Sequence, residues 1–433
     1  MQLDDLRTIA RDIFDQAVIS AAPRTFLSGR LPKPAAHGRL ILLGAGKAGA
    51  SMVQAAEDHY LDDLGIDPAR ISGLAVTRHG YGCRTRKIPV IQAGHPVPDL
   101  FGLAGTERML FLADSATAND TVVVLMSGGA SANLIAPVPG LSLAEKQAMT
   151  TALLRSGAPI EDMNCLRKHL SQVKGGRLAR RLAPARVVTL AVSDVPRDDL
   201  AVIGSGPTVP DPTTLADARD VVARYQLPVS DRIRRMLNDP ANETPKADDP
   251  IFRNQEVEIV LRPADALKAA VARARQNGFE VIDLGPDVAG EARKVATAHA
   301  ALALEASAAG RKVAILSGGE LTVTIKGSGR GGPNQEYALA LAIALHCAKG
   351  IVGLACDTDG TDGGSGSQTD PAGAMIDPMT LARAEKLGVD AIARLEDNDS
   401  TRFFAQAGGL VVTGPTLTNA NDLRVILVDP AAA

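Results

Sequence analysis

At 433 residues the chain exceeds the roughly 250–300 at which a single core stops growing, so two or three domains are expected. Hydrophobic residues at 45% and charged residues at 22% exclude general disorder and fibrous repeats, while 46 Lys and Arg against 49 Asp and Glu leave a formal charge of -3 and no overall footprint for nucleic acid or an anionic membrane. There are 41 glycines, no tryptophan and 3% aromatics, too few rings for base-stacking platforms, so where glycine sits becomes the informative feature.

The chain opens on an amphipathic stretch with Leu3, Leu6, Ile9, Ile13, Phe14 and Val18 at helical spacing, which reads as a surface helix and not a signal peptide. No run approaches the ~20 apolar residues of a membrane span. Four cysteines without ligand spacing fit a reducing compartment, and the cytoplasm is the expected location. Continuous apolar runs of strand length follow at 39–49, 73–80, 121–131, 186–195, 312–321 and 350–360, with Ala- and Arg-rich helical stretches between them. Continuous runs suit strands buried on both faces, as in a parallel sheet covered by helices, so the class is α/β. The polar segment 228–256, with Pro228, Pro240, Pro245 and Pro250, predicts a domain junction, dividing the chain into 1–240 and 241–433.

In doubly wound sheets ligands bind beyond the carboxyl ends of strands, and here those ends carry unusual residues. Gly44-Ala-Gly46-Lys47-Ala-Gly49 satisfies the dinucleotide pattern GxGxxG, yet the next strand end is Thr77-Arg78-His79, with no acid for a ribose hydroxyl. Lys47 instead brings an ammonium to a turn of backbone amides, a combination suited to an anion. Ser127-Gly128-Gly129-Ala130-Ser131 offers amides and hydroxyls to phosphate oxygens, or is a packing turn; no GxSxG nucleophile is present. Ser317-Gly-Gly echoes it. Arg167, Ser171 and Lys174, at i, i+4 and i+3 spacing with Lys168 beside them, are predicted to share a helical face able to grip a carboxylate or phosphate; an exposed basic helix is the alternative.

Asp194 ends the apolar strand VVTLAV, where a carboxylate is costly unless paired or metal-bound. Gly327-Ser-Gly329-Arg330-Gly331-Gly332-Pro333-Asn334-Gln335-Glu336 combines flexible amides, a guanidinium and a helix start, an expected anion site. Asp357-Thr-Asp359-Gly-Thr-Asp362-Gly-Gly364 follows another strand, and its alternating carboxylates suit Mg²⁺ or cap their own turns. Cations on glycine turns beside strand-end acids are what phosphoryl transfer requires, and the absence of GxxxxGK[ST] excludes a P-loop enzyme.

GAGKAG, MSGGAS, NCLRKHLSQVKGGRLA, SDVPRDDLAVIGSGPT, SGGELTV, GRGGPNQEYALA and DTDGTDG, in this order over roughly 5–425, resemble the glycerate 2-kinase family that carries a MOFRL domain. The resemblance implies a two-domain α/β enzyme, a Rossmann-like N-terminal domain with a largely parallel sheet and a second α/β domain containing the MOFRL region at about 312–425. It further implies ATP-dependent phosphorylation of D-glycerate at its 2-hydroxyl, with Mg²⁺, in an interdomain cleft. Lys47 and Arg330 are the residues it marks as catalytic, with Asp194 and Asp359 expected to hold Mg²⁺ or orient the hydroxyl. Gly46, the Ser127–Ser131 turn, Gly331, Asn334 and Glu336 are expected near phosphates, and Arg167, Lys168 and Lys174 near the substrate carboxylate or nucleotide. Relatives labelled hydroxypyruvate reductases keep an NAD(P)H-dependent reductase as the rival, and a small-molecule sensor as the non-catalytic one. The expected partners are small molecules, D-glycerate and ATP, for a monomer or homodimer.

Overall fold

The computed structural model describes residues 2–195, 198–363, 367 and 369–432. Pro196 and Arg197, within the segment that follows Asp194, and Gly364, at the end of the acidic turn, lie outside the described residues. Two compact units form: Phe26–Val260, and Met1–Thr25 together with Leu261–Ala433.

The first unit is built on a six-stranded sheet of β1 (Leu40–Ala45), β2 (Ile71–Arg78), β3 (Val90–Ala93), β4 (Thr121–Met126), β5 (Arg186–Val192) and β6 (Gln255–Leu261). Its order is β3-β2-β1-β4-β5-β6, with β3 through β5 paired in parallel. Every residue of β1 (LILLGA) and β4 (TVVVLM) is buried, because helices such as Gly49–Asp58 and Leu100–Asp114 cover the sheet. The order reverses between β1 and β4, so their carboxyl ends flank the crevice where open α/β sheets take ligands.

The second unit holds β7 (Glu280–Asp283), the short pair β8 (Gly290–Glu291) and β10 (Leu321–Thr322), β9 (Val313–Ser317), β11 (Ile351–Asp357), β12 (Gly373–Ile376), β13 (Leu410–Val411) and β14 (Asp422–Val428). Its main sheet runs β13-β12-β11-β14-β9-β7, and only the β7–β9 pair is parallel; the other four pairings are antiparallel. The continuous apolar runs of β9 and β11 therefore reflect burial on both faces and not parallel pairing. Leu339 and Leu341 of the helix Pro333–Leu345 pack in one core with Ile315, Ile351, Ile376 and Ile426.

The division departs from one at 240 in two respects. Strand β6 belongs to the first sheet, which carries the boundary to about 260, and the proline-rich stretch before it, including the helix Asp231–Asn238, stays inside the first unit. The opening helix Leu3–Ser20 belongs to the second unit. It buries Leu6, Ala10, Ile13, Phe14 and Ala17, packs on the helix Pro263–Gln276, and pairs Asp12 with Arg273 at 2.6 Å. Local polarity marks loops, but which sheet a strand extends is decided by long-range pairing.

Candidate functional site

In the first unit the ends of β1 and β4 are stitched together by the turns that follow them. The Lys47 amide donates to the Gly128 carbonyl at 2.8 Å, and the Ala48 amide to Ser127 Oγ at 2.9 Å. Gly46 sits at φ +102°, where a Cβ would lie 2.3 Å from the Ser127 carbonyl oxygen, so only glycine lets the two turns approach. At Gly44 a Cβ would meet Val53 Cγ2 at 2.6 Å, so this glycine serves strand-to-helix packing. The Gly46 amide bonds Val76 O and the Gly49 amide bonds Gly46 O, so all four amides from 46 to 49 are already engaged. A pyrophosphate would find no open donor there, which removes the physical basis for a dinucleotide at this GxGxxG.

Open donors lie one strand over. Among the described residues the Gly128 and Gly129 amides make no hydrogen bond, and both glycines line a pocket of about 310 Å³. A Cβ on Gly129 would stand 3.2 Å from Lys47 Cγ and 3.1 Å from the His95 ring, which puts the lysine stem and the imidazole against this turn. Ser131 lines the same pocket, its hydroxyl 2.7 Å from Ser205 Oγ. Ser127, fully buried, has its hydroxyl committed to Ala48 and Ala45.

Asp194, Asn164, Thr150, Arg167, Lys146 and Lys174 also line the pocket. The helix Ile160–His169 ends before Ser171 and Lys174, so the predicted shared helical face does not form. Ser171 Oγ instead accepts from the Val173 and Lys174 amides at 3.2 Å, and this turn sends Lys174 into the pocket wall, where its ammonium donates to Ser131 O at 2.7 Å and Leu134 O at 3.0 Å. Lys146, on the helix Leu143–Arg155, donates to Leu170 O at 2.8 Å. Burial first, then Arg167 and Arg177, bring Lys146 down to about 7; burial with Lys146 and Arg167 lowers Lys174, and burial lowers Arg167. Lys168 is not part of this group. Its ammonium pairs with Asp211 at 3.2 Å, the two side chains 5% and 0% exposed, so it is a structural ion pair.

In the second unit the glycine-rich loop is held by the segment 397–399. The Ser328 amide donates to Asp397 Oδ1, the Lys326 and Gly327 amides to Asn398 Oδ1, the Gly329 amide to Asp397 O, and the Arg330 amide to Asp399 Oδ1. The helix start behind it is already capped: Asp362 accepts the Asn334 and Gln335 amides at 3.0 and 2.8 Å, and the Asn334 side chain spans Asp362 and Asp422. Burial foremost raises Asp362 to about 6. Glu336 is likewise engaged, by Arg293 at 2.7 Å and Asn398 at 3.0 Å. These bonds displace the expected anion site from the helix start and leave Arg330 exposed, its guanidinium without a partner among the described residues, next to the unbonded Gly331 amide. Ser317-Gly-Gly, the echo of the first turn, is bound by Arg424 and offers no comparable cradle.

For a divalent cation, no group of three His, Cys, Asp or Glu side chains is gathered among the described residues. Asp359, fully buried, turns Oδ1 to the Thr361 amide at 2.7 Å. Asp194 lines the pocket wall, half-buried, and a Mg²⁺ that arrives on phosphates needs only one or two protein carboxylates. No helix among the described residues is long and apolar enough to cross a membrane.

Sequence reasoning missed Lys146 and His95. Lys146 sits in an ordinary amphipathic helix with no motif around it, and only burial beside two other cations distinguishes it.

Comparison with known proteins places these features in a family. Residues 9–238 match the model described as a domain of unknown function, DUF4147, and residues 313–422 match the MOFRL family. A protein of Agrobacterium vitis named "Putative hydroxypyruvate reductase" is 44% identical, over 98% of this chain and 94% of its own. A D-glycerate 2-kinase of Thermotoga maritima is 38% identical, over 98% of this chain and 99% of its own. The crystal structure of a glycerate kinase from Thermotoga maritima superposes with a TM-score of 0.84 at 36% identity, covering 98% of this chain and 100% of that one.

Proposed function

The chain belongs to the glycerate 2-kinase family with a MOFRL domain, and from that premise we propose that it transfers the γ-phosphoryl group of ATP to the 2-hydroxyl of D-glycerate, giving 2-phosphoglycerate and ADP. The observation that carries this reading is the pair of Gly128 and Gly129 amides, unbonded among the described residues, in the lining of a cationic pocket, with the Lys47 side chain against Gly129. Phosphoryl transfer asks mainly for positioning and for neutralisation of the oxygens of the moving group. Lys47 and the two amides would hold those oxygens; Arg330, which the family resemblance marks as catalytic, stands exposed on a braced loop of the second unit with Gly331 beside it. Asn334 and Glu336 act one step removed, bracing that loop and the helix behind it. Asp194 would accept a hydrogen bond from the 2-hydroxyl or bind Mg²⁺, with Asp359 the second carboxylate candidate; Mg²⁺, when bound, neutralises the phosphate charge. The hydroxyl oxygen forms the new P–O bond as the bond to the bridging oxygen of ADP breaks, and the hydroxyl proton is released. Four cysteines without a disulfide suit a reducing compartment, and we place the enzyme in the cytoplasm.

The rival reductase reading draws on the name of the Agrobacterium relative, and the engaged amides of residues 46–49 speak against it. Purified protein given D-glycerate, ATP and Mg²⁺ in one assay, and hydroxypyruvate with NADPH in another, separates the two. ADP formation is expected; NADPH oxidation without ADP would overturn the proposal.

A further inference from the structure

Three cations of the first unit converge on one pocket, and among the described residues no acid is paired to any of them. Lys146 and Lys174 are 5% and 1% exposed, yet their hydrogen-bond partners among the described residues are main-chain carbonyls: Leu170 and Arg167 for the first, Ser131 and Leu134 for the second. An ammonium carries three donors, so each retains one beyond its two carbonyls. The Arg167 guanidinium makes no hydrogen bond or ion pair among the described residues. The neighbouring acids are engaged elsewhere, Asp211 by Lys168 and Glu243 by His169 and Lys246, and among the described residues the carboxylate lining the pocket is Asp194. Burial lowers all three groups, and the neighbouring cations lower the two lysines further, which an arriving anion would oppose.

We propose that Lys146, Arg167 and Lys174 form the subsite for the carboxylate of the hydroxy acid, with Lys146 a binding residue that no motif in the sequence marks. At about 310 Å³ the pocket lies at the lower end of small-ligand sites and accommodates a three-carbon acid. The Gly128–Gly129 turn lines the same pocket, so an acid held at the cations lies within one cavity with the amides assigned to the phosphoryl group. The identity of the anion as substrate carboxylate rests on the kinase reading; the cation cluster does not.

The test replaces Arg167 by Gln and, separately, Lys146 by Met. Arg167 holds no side-chain hydrogen bond among the described residues, so R167Q is expected to fold as the parent does, and it keeps the test decisive if K146M melts early. Each variant should raise the KM for D-glycerate roughly 10- to 100-fold, the loss of one charge-assisted hydrogen bond, with the KM for ATP unchanged. Calorimetric titration of D-glycerate, of glycerol, and of ADP into each protein reads the subsite without turnover. Weakened D-glycerate binding in R167Q, with ADP binding intact and glycerol binding to neither protein, supports the proposal. Loss of ADP affinity with D-glycerate unaffected would assign the cations to nucleotide phosphate and overturn it, as would no change in either ligand. A parent protein that binds D-glycerate more tightly than R167Q does, but forms no ADP, would refute the kinase reading and uphold the subsite. ADP formation with an unchanged D-glycerate KM in both variants would do the reverse.

Discussion

Replacing Lys168 by Met tests whether this lysine serves the fold or the ligand. Its ammonium lies 3.2 Å from Asp211 Oδ1, and the Asp211 side chain is fully buried. The carboxylate has other donors, Thr213 through its amide at 3.1 Å and hydroxyl at 2.8 Å, and Thr244 Oγ1 at 3.0 Å, but none carries a charge. Removing one partner of a buried pair leaves an uncompensated charge, at a cost of about 3–5 kcal/mol. For a unit of this size each kcal/mol lowers Tm by ~2–4 °C, so a drop of roughly 6–20 °C is expected. The double variant K168M/D211N, which removes the stranded charge and keeps oxygen and amide at the same position, should recover more than half of that loss. Melting followed by circular dichroism reads the stability, and KM values measured well below the transition read the site. A K168M protein that melts within ~2 °C of the parent while its KM for D-glycerate or ATP rises tenfold would refute the structural assignment.

Lys47→Met should lower kcat by about 10²–10³ or more with an unchanged melting curve, since it removes a charge-bearing donor to the transferring group; near-normal turnover would exclude Lys47 from the phosphoryl site. Because burial brings Lys146 down to about 7, its charge is lost as pH rises through neutrality, and D-glycerate affinity should fall between pH 6 and 9 in the parent, with a shallower slope in K146M; titrations across that range decide it. The same shift acts on stability with a definite sign. The unfolded chain keeps this proton up to about 10.4 while the folded one releases it near 7, so the group favours folding increasingly as pH rises between those values. Asp422 works in the opposite sense: burial above all raises it to about 7, so the folded state binds the extra proton and stability from this group is lost as pH rises from about 4 to 7. Asp422→Asn should flatten that loss in a series of melting curves, and an unchanged pH slope would show that the carboxyl titrates normally.

The sequence by itself determined the class and the family, because both are written in local order: apolar runs that end at glycine, and seven motifs in a fixed succession. It also located the turns at Gly46–Lys47, Ser127–Ser131 and Gly327–Gly332, since glycine at a strand end has few other uses. What those turns do was decided by partners far away in the chain. The amides of Gly46, Lys47 and Ala48 are closed by β2 and the turn after β4, those of 326–330 by Asp397–Asp399, and the helix start at Asn334 by Asp362, so among the described residues of the first unit's two turns the open donors are Gly128 and Gly129. Lys168 and Lys174, six residues apart in one basic stretch, look alike as sequence, and their different roles follow from Asp211 standing beside the first and carbonyls beside the second. Lys146 had no signal at all, because a lysine on an amphipathic helix is ordinary until the fold buries it next to two other cations. Donor and charge are properties of a residue, but whether they remain available depends on long-range neighbours, and only tertiary structure supplies those.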